Sequence, residues 1–250
     1  MVKKLSMTHV SLNQSNKNAI FTLKETLGVL AHYFVGMQFA YPLLGMWVSL
    51  DILKTKTLDS RITIILLLIG FFGMLYLIRR PLRLLIKDFK LRWRYVSQQI
   101  VMGTIILIIV NLLMNWIIQF FWGSGAVAMN QKFVSVKLAH APISAFISIV
   151  CVTPLVEEIV FRGVLFQKLG SESSHRIGIV ISSLLFGLFH AMPSESVNVF
   201  WLFPIHVIQY TVMGFLLARY TAKTDTIFTS IGIHFLNNLI GYIGIILMIG

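Results

Sequence analysis

Residues 141–167 read APISAFISIVCVTPLVEEIVFRGVLFQ, an apolar run long enough to cross a bilayer as one helix, with two adjacent carboxylates, Glu157 and Glu158, inside it. A spanning helix needs about 20 mostly apolar residues. A carboxylate placed inside a bilayer is costly unless paired, hydrated or neutralised, so it reads first as functional; a buried pair kept for structure alone is the competing reading. The other acidic residues, Glu25, Asp51, Asp59, Asp88, Glu172, Glu195 and Asp225, fall in loops or at span edges.

Outward from this run the composition is uniform. Of 250 residues 57% are apolar and 12% charged, and the mean hydropathy is +0.83. Such a chain is neither a soluble globular domain nor a disordered one. A single cysteine, Cys151, leaves no disulfide framework and no CxxC pair for a structural metal. The expected fold is all-α, a polytopic transmembrane bundle of about seven spans at roughly 27–50, 62–78, 97–122, 141–167, 176–193, 199–218 and 226–249.

The net charge of +12 would suggest nucleic acid on a soluble protein, but here it reports topology, and no nucleic-acid partner is expected. With the N-terminus in the cytoplasm, Lys3, Lys4, Lys17, Lys24, the cluster from Arg79 to Arg94, Arg162, Lys168, Arg176, Arg219 and Lys223 lie inside. Only Lys54, Lys56, Arg61, Lys132 and Lys137 lie outside. The N-terminal segment is polar and does not read as a removable signal peptide. Residues 79–96 alternate basic groups with Leu84, Leu85, Phe89 and Trp93, and read either as an amphipathic helix on anionic lipid or as a basic loop that fixes topology. There is no internal repeat and no linker, so one integral bundle is expected, with N-terminal membrane helices over 1–139 and a catalytic core over 140–250.

Helical spacing separates the two glutamates. Arg162 follows Glu158 by four residues, on the same face, and predicts an internal ion pair; Glu157 points about 100° away, free to face the bundle as a general base. Pro154 predicts a kink just upstream. The fourth and fifth spans form a hairpin turning at LGSESSH, 169–175, which sets Glu157 roughly 20 Å and His190 roughly 24 Å from the turn. His234 and Asn238 share one face of the seventh span at a comparable depth, so all four can converge, with the site buried between spans 4, 5 and 7. Interhelical hydrogen bonding is the plainer reading of His234 and Asn238.

No GxSxG and no serine triad stand out, and Cys151 has no evident base, so water is the better nucleophile. A carboxylate with a histidine activates water, while a second histidine and an asparagine amide donate to an oxyanion, which are the parts of an amide hydrolase. Zinc held by Glu157, His190 and His234 is the rival, although HExxH is absent and Asn238 is a poor zinc ligand.

At these residues the sequence resembles the CAAX protease and bacteriocin-processing family of intramembrane endopeptidases, also called the Abi or type II CAAX prenyl endopeptidase family. The resemblance rests on EExxxR at Glu157, Glu158 and Arg162, FxxxH at Phe186 and His190, and HxxxN at His234 and Asn238. It covers about 140–245. It implies a glutamate-dependent hydrolase without an obligatory metal or other cofactor, in which Glu157 and His190 activate water, His234 and Asn238 form the oxyanion hole, and Glu158, Arg162 and Phe186 support them. An FxxxGxxxG motif survives only loosely as Tyr210, Gly214 and Ala218. The implied substrates are prenylated CAAX tails or peptide precursors such as bacteriocin leaders. The positive-inside pattern suits a bacterial plasma membrane and a peptide or membrane-protein substrate. A membrane adaptor or bacteriocin-immunity protein of the same fold, and a transporter or proton relay, are the alternatives outside proteolysis.

Overall fold

The computed structural model describes residues 20–170, 175–191 and 202–249. They form eight helices: α1 (Leu23–Ile52), α2 (Ser60–Leu77), α3 (Arg79–Trp122), α4 (Met129–His140), α5 (Pro142–Leu169), α6 (Arg176–Ala191), α7 (Phe203–Thr224) and α8 (Ile227–Ile249). No strand occurs among the described residues, and the fold is an all-α polytopic bundle. His9, Lys3, Lys4, Lys17, Glu172, Glu195, the tip of the 169–175 turn and the first residues of the sixth expected span lie outside the described residues.

Helices occupy all seven expected places; among the described residues five of them, α1, α2, α3, α5 and α8, are long and apolar enough to cross a membrane by length and composition. Helix α6 has 16 residues, about 24 Å of rise, and α7 carries His206, Gln209, Tyr210 and Arg219 within its 22. Both are turned inward. A Cβ on Gly187 of α6 would run into the backbone of Val207 and Thr211 on α7, and one on Gly214 of α7 would press on the backbone of Ser183. Two helices this close bury each other's polar faces and need less apolar surface of their own.

The basic segment 79–96 is helical and continuous with the third span, so the loop reading does not hold. Helix α3 has 44 residues in two segments that meet at a kink; the segment after the kink alone rises about 45 Å against a hydrocarbon thickness of about 30 Å, so it reaches beyond one bilayer core. Its backbone leaves helical geometry at Arg92 (φ −123°, ψ 15°), where the guanidinium pairs with Asp88 and donates to the carbonyl of Thr224 at 2.8 Å. Phe89 packs at a tilt against Phe228 instead of facing outward. Further along, Gly103 accepts Ile233 and Gly232 accepts Ile100, which seats α3 tightly on α8. Helix α4 falls where a loop between spans was expected.

The centre of the bundle is α5: 61% of its most apolar stretch is buried, against 11–17% in the other four spans. Around it, α3 exposes Leu112, Trp116 and Phe120 and α2 exposes Ile65, Ile69 and Phe72. Such continuous apolar surface is what a lipid-facing ring requires and what a water-soluble surface avoids.

Candidate active site

Helix α5 is not regular. Phe146–Val152 and Ile159–Leu165 are wound as wide π turns around the α-helical stretch Thr153–Glu158. Pro154 has no N–H to donate and its ring clashes with the carbonyl four residues back, and a widened turn relieves both. The expected kink thus takes the form of a π turn, with the Thr153 N–H bonded to the carbonyl of Ser148. This presents Glu157 and Glu158, both buried, to different neighbours.

Glu158 accepts from two donors on one oxygen, Arg162 Nη1 at 2.9 Å and His234 Nδ1 at 3.0 Å. The expected Glu158–Arg162 pair is present and wholly buried. Arg162 also donates from Nη2 to the Gly214 carbonyl at 2.9 Å, and its guanidinium lies 4.5 Å over the Phe186 ring. The departure from FxxxGxxxG therefore leaves this contact with Arg162 intact, because Gly214 takes part through its backbone. Two carboxylates face one guanidinium here, and His190 and His234 lie against them.

His190 on α6 lies 3.3 Å from Glu157, Nε2 to Oε2, and His234 on α8 lies 3.9 Å from the same oxygen through its own Nε2. The Nδ1 of His190 bonds the Phe186 carbonyl at 2.9 Å. Carbonyl and carboxylate oxygens only accept, so both rings carry their proton on Nδ1 and both turn Nε2 toward Glu157. Phe186 stacks on His190 with centroids 4.0 Å apart and meets His234 edge-on at 6.0 Å; Tyr210 packs at a tilt against His190 at 5.4 Å.

Asn238 sits one turn along α8 from His234 and makes its hydrogen bonds elsewhere. Its Nδ2 donates to the Ile149 carbonyl of α5 at 2.9 Å, and its Oδ1 accepts from Asn237 at 3.2 Å. Asn237 in turn accepts from Asn111 of α3 at 2.9 Å. This chain fixes which end of the Asn238 amide is nitrogen and leaves that nitrogen a second hydrogen. The other intramembrane histidines have separate partners: His32 bonds the Gly70 carbonyl, and His206 bonds Gln209.

Sequence reasoning missed the opposite wall. A cavity of about 190 Å³ opens beside Glu157, lined by Tyr33, Met37 and Gln38 of α1, Leu67 of α2 and Thr153 of α5 among others. Its only sequence signal is a pair of polar groups in an apolar span, which reads equally well as interface anchoring. Among the described residues no three His, Cys, Asp or Glu side chains are arranged to hold a metal ion.

Residues 139–240 match a family model described as type II CAAX prenyl endopeptidase Rce1-like. A Bacillus subtilis (strain 168) protein named "Putative membrane peptidase YdiL" is 29% identical over 119 residues, 48% of this chain and 44% of that one. Another from the same organism, "Uncharacterized protein YyaK", is 29% identical over 167 residues, 66% of this chain and 52% of that one. The chain thus spans about half the length of the curated relatives it matches. No solved structure matches it. The matched segment contains Glu157, Glu158, Arg162, Phe186, His190, His234 and Asn238 and leaves out α1 to α3. Over residues 139–240 this membrane protein is therefore similar to the Rce1-like family, named for the type II CAAX prenyl endopeptidase.

Proposed function

We propose that the chain is an intramembrane endopeptidase in which Glu157 and His190 activate a water and His234 with Asn238 stabilise the oxyanion. One observation carries the reading: Glu157 Oε2 and the Nε2 atoms of two histidines converge within 3.3–3.9 Å while both Nδ1 atoms are committed elsewhere. With both Nδ1 atoms protonated, Glu157 Oε2 and the Nε2 of a neutral His190 are two acceptors facing one point, and a water molecule has the two donors that satisfy them. In that place Glu157 takes a proton as the water oxygen attacks the scissile carbonyl, and His190 holds the other hydrogen. The proton then passes from Glu157 to the leaving amide nitrogen as the C–N bond breaks, giving a carboxylic acid and an amine.

The oxyanion role places a demand on His234. With its proton on Nδ1 and given to Glu158, the neutral ring has no donor left, whereas the imidazolium presents Nε2–H toward the reacting centre. Glu158, held by Arg162, is placed to stabilise that charge. The second hydrogen of Asn238 supplies a further donor.

The substrate class is a peptide precursor or a membrane-associated protein, reached from the bilayer. The basic residues support a cytoplasmic N-terminus, and both relatives are from Bacillus, which supports a bacterial cell membrane. The test is cleavage of a panel of peptide precursors by the purified protein in lipid, wild type against Glu157→Ala, with and without a strong chelator. Cleavage that survives chelation and falls by about 10²–10⁴ in the variant is the expected result. Loss on chelation would replace the water-activating carboxylate with zinc chemistry. Peptide capture without cleavage, indifferent to Glu157, would make the protein an adaptor or immunity protein.

A further inference from the structure

The cavity beside Glu157 is larger than the site of a single water. A cavity holds one water in roughly 10–15 Å³ by the same measure, and this one measures about 190 Å³. Its wall is mixed: Met37, Leu67, Val152 and Val156 are apolar, while Tyr33, Gln38 and Glu157 bring a hydroxyl, an amide and the carboxylate of the proposed base.

Two features of α1 are unexplained by packing. The first is Tyr33, 2% exposed, whose ring packs against Phe34, Phe161 and Phe189. A phenylalanine would make all those contacts. The hydroxyl is what remains, and it is buried with no hydrogen bond of normal geometry, although the Gln38 side chain is its neighbour. Buried polar atoms are nearly always partnered, so an orphan on a residue that lines a cavity points to a ligand. The second is the backbone. Tyr33 and Gln38 are five residues apart, which on a regular α-helix turns them about 140° from each other. Here His32–Ala40 is wound as a π-helix, with bonds spanning five residues, and both side chains reach the same cavity. Such turns are rare and recur at functional sites.

We propose that this cavity is the subsite that seats the substrate's backbone next to the scissile bond, with Gln38 pairing to one peptide group and the Tyr33 hydroxyl donating to a neighbouring carbonyl. A primary amide offers one acceptor and two donors, which matches the C=O and N–H of a peptide group. The apolar wall takes an apolar side chain from the same residue. The inference rests on the peptidase reading above and assigns substrate recognition to α1, outside the matched segment 139–240.

The experiment measures both binding and cleavage of the precursor panel in lipid nanodiscs by wild type, Tyr33→Phe and Gln38→Leu, using each peptide and its analogue with a backbone ester beside the scissile bond. Wild type should lose about tenfold in affinity or kcat/KM toward the ester. Each variant should raise KM about tenfold with kcat little changed, and Gln38→Leu should no longer distinguish amide from ester. Unchanged melting temperatures exclude a merely structural effect. Cleavage by both variants with wild-type KM and undiminished ester discrimination overturns the subsite and leaves the peptidase standing. Binding that depends on Gln38 but is never followed by cleavage overturns the peptidase and keeps the subsite. No binding and no cleavage overturns both.

Discussion

Two arginine–glutamate pairs stand at opposite ends of this chain's architecture. Arg162 and Glu158 lie one turn apart on α5, both side chains fully buried, with the further partners Gly214 and His234. Arg80 and Glu25 join the start of α3 to the start of α1, the arginine 47% exposed, and the same guanidinium reaches the Ile20 carbonyl. The chemistry is shared and the surroundings are opposite. The C-terminal helices answer one buried polar group with another, from Arg162 through Glu158 to His234. The N-terminal helices anchor their ends at the edge of the bundle and leave Tyr33 facing a cavity. On the proposed reading, the mutually paired polar groups of α5–α8 are the reaction centre and the polar groups of α1 beside the cavity receive the substrate.

The largest effect comes from breaking the buried pair. Arg162→Ala strands Glu158 without its strongest partner, and removing one member of a buried pair typically costs about 3–5 kcal/mol. The expected result is a sharp fall in folded yield and in detergent melting temperature together with activity. Unchanged thermal stability would mean that His234 alone holds Glu158. Next is Asn238→Ala, which removes an oxyanion donor and should lower kcat by roughly a hundredfold or more while leaving substrate affinity nearly intact. A change mainly in affinity would assign Asn238 to substrate positioning. Then comes Gly187→Ala, which drives a methyl group into the α7 backbone at Val207 and Thr211. Overpacking of this kind costs about 1–3 kcal/mol, so a clear drop in melting temperature is expected, with His190 displaced and kcat reduced.

How much of this could be read in the sequence follows the same division. Glu157 and Glu158 were legible because carboxylates in an apolar run are expensive, and Arg162 because four residues make one helical turn. His190 was legible because two antiparallel helices sharing a short turn carry equal distances to equal depths, and the 3.3 Å contact to Glu157 is where that arithmetic ends. Contacts between elements far apart in the chain obey no such arithmetic. Asn111 meets Asn237 across 126 residues, and Tyr33 reaches the Glu157 cavity by a π turn that leaves no mark on hydrophobic periodicity. Five of the seven expected spans meet the length and hydropathy requirement among the described residues, for a related reason. Helices α6 and α7 are judged by hydropathy as if they faced lipid, whereas their small and polar residues face each other.

The smallest expected effect sharpens the comparison most directly. Arg80→Ala removes an ion pair of good geometry, with Nη2 2.7 Å from a Glu25 carboxylate oxygen. By distance alone it should matter as much as the buried pair. Exposure decides otherwise. Solvent screens the charges, both side chains give up rotamer freedom to meet, and Glu25 keeps its capping hydrogen bonds to Thr22 when the arginine is gone. The expected loss is below about 1 kcal/mol and should shrink further in high salt, as screening predicts. The measurement is the melting temperature of Arg80→Ala beside Arg162→Ala at low and high ionic strength. A large, salt-insensitive loss for Arg80→Ala would mean that the start of α1 is held as tightly as the reaction centre. The cavity wall carrying Tyr33 would then be a fixed part of that centre and not a surface free to adjust to substrate.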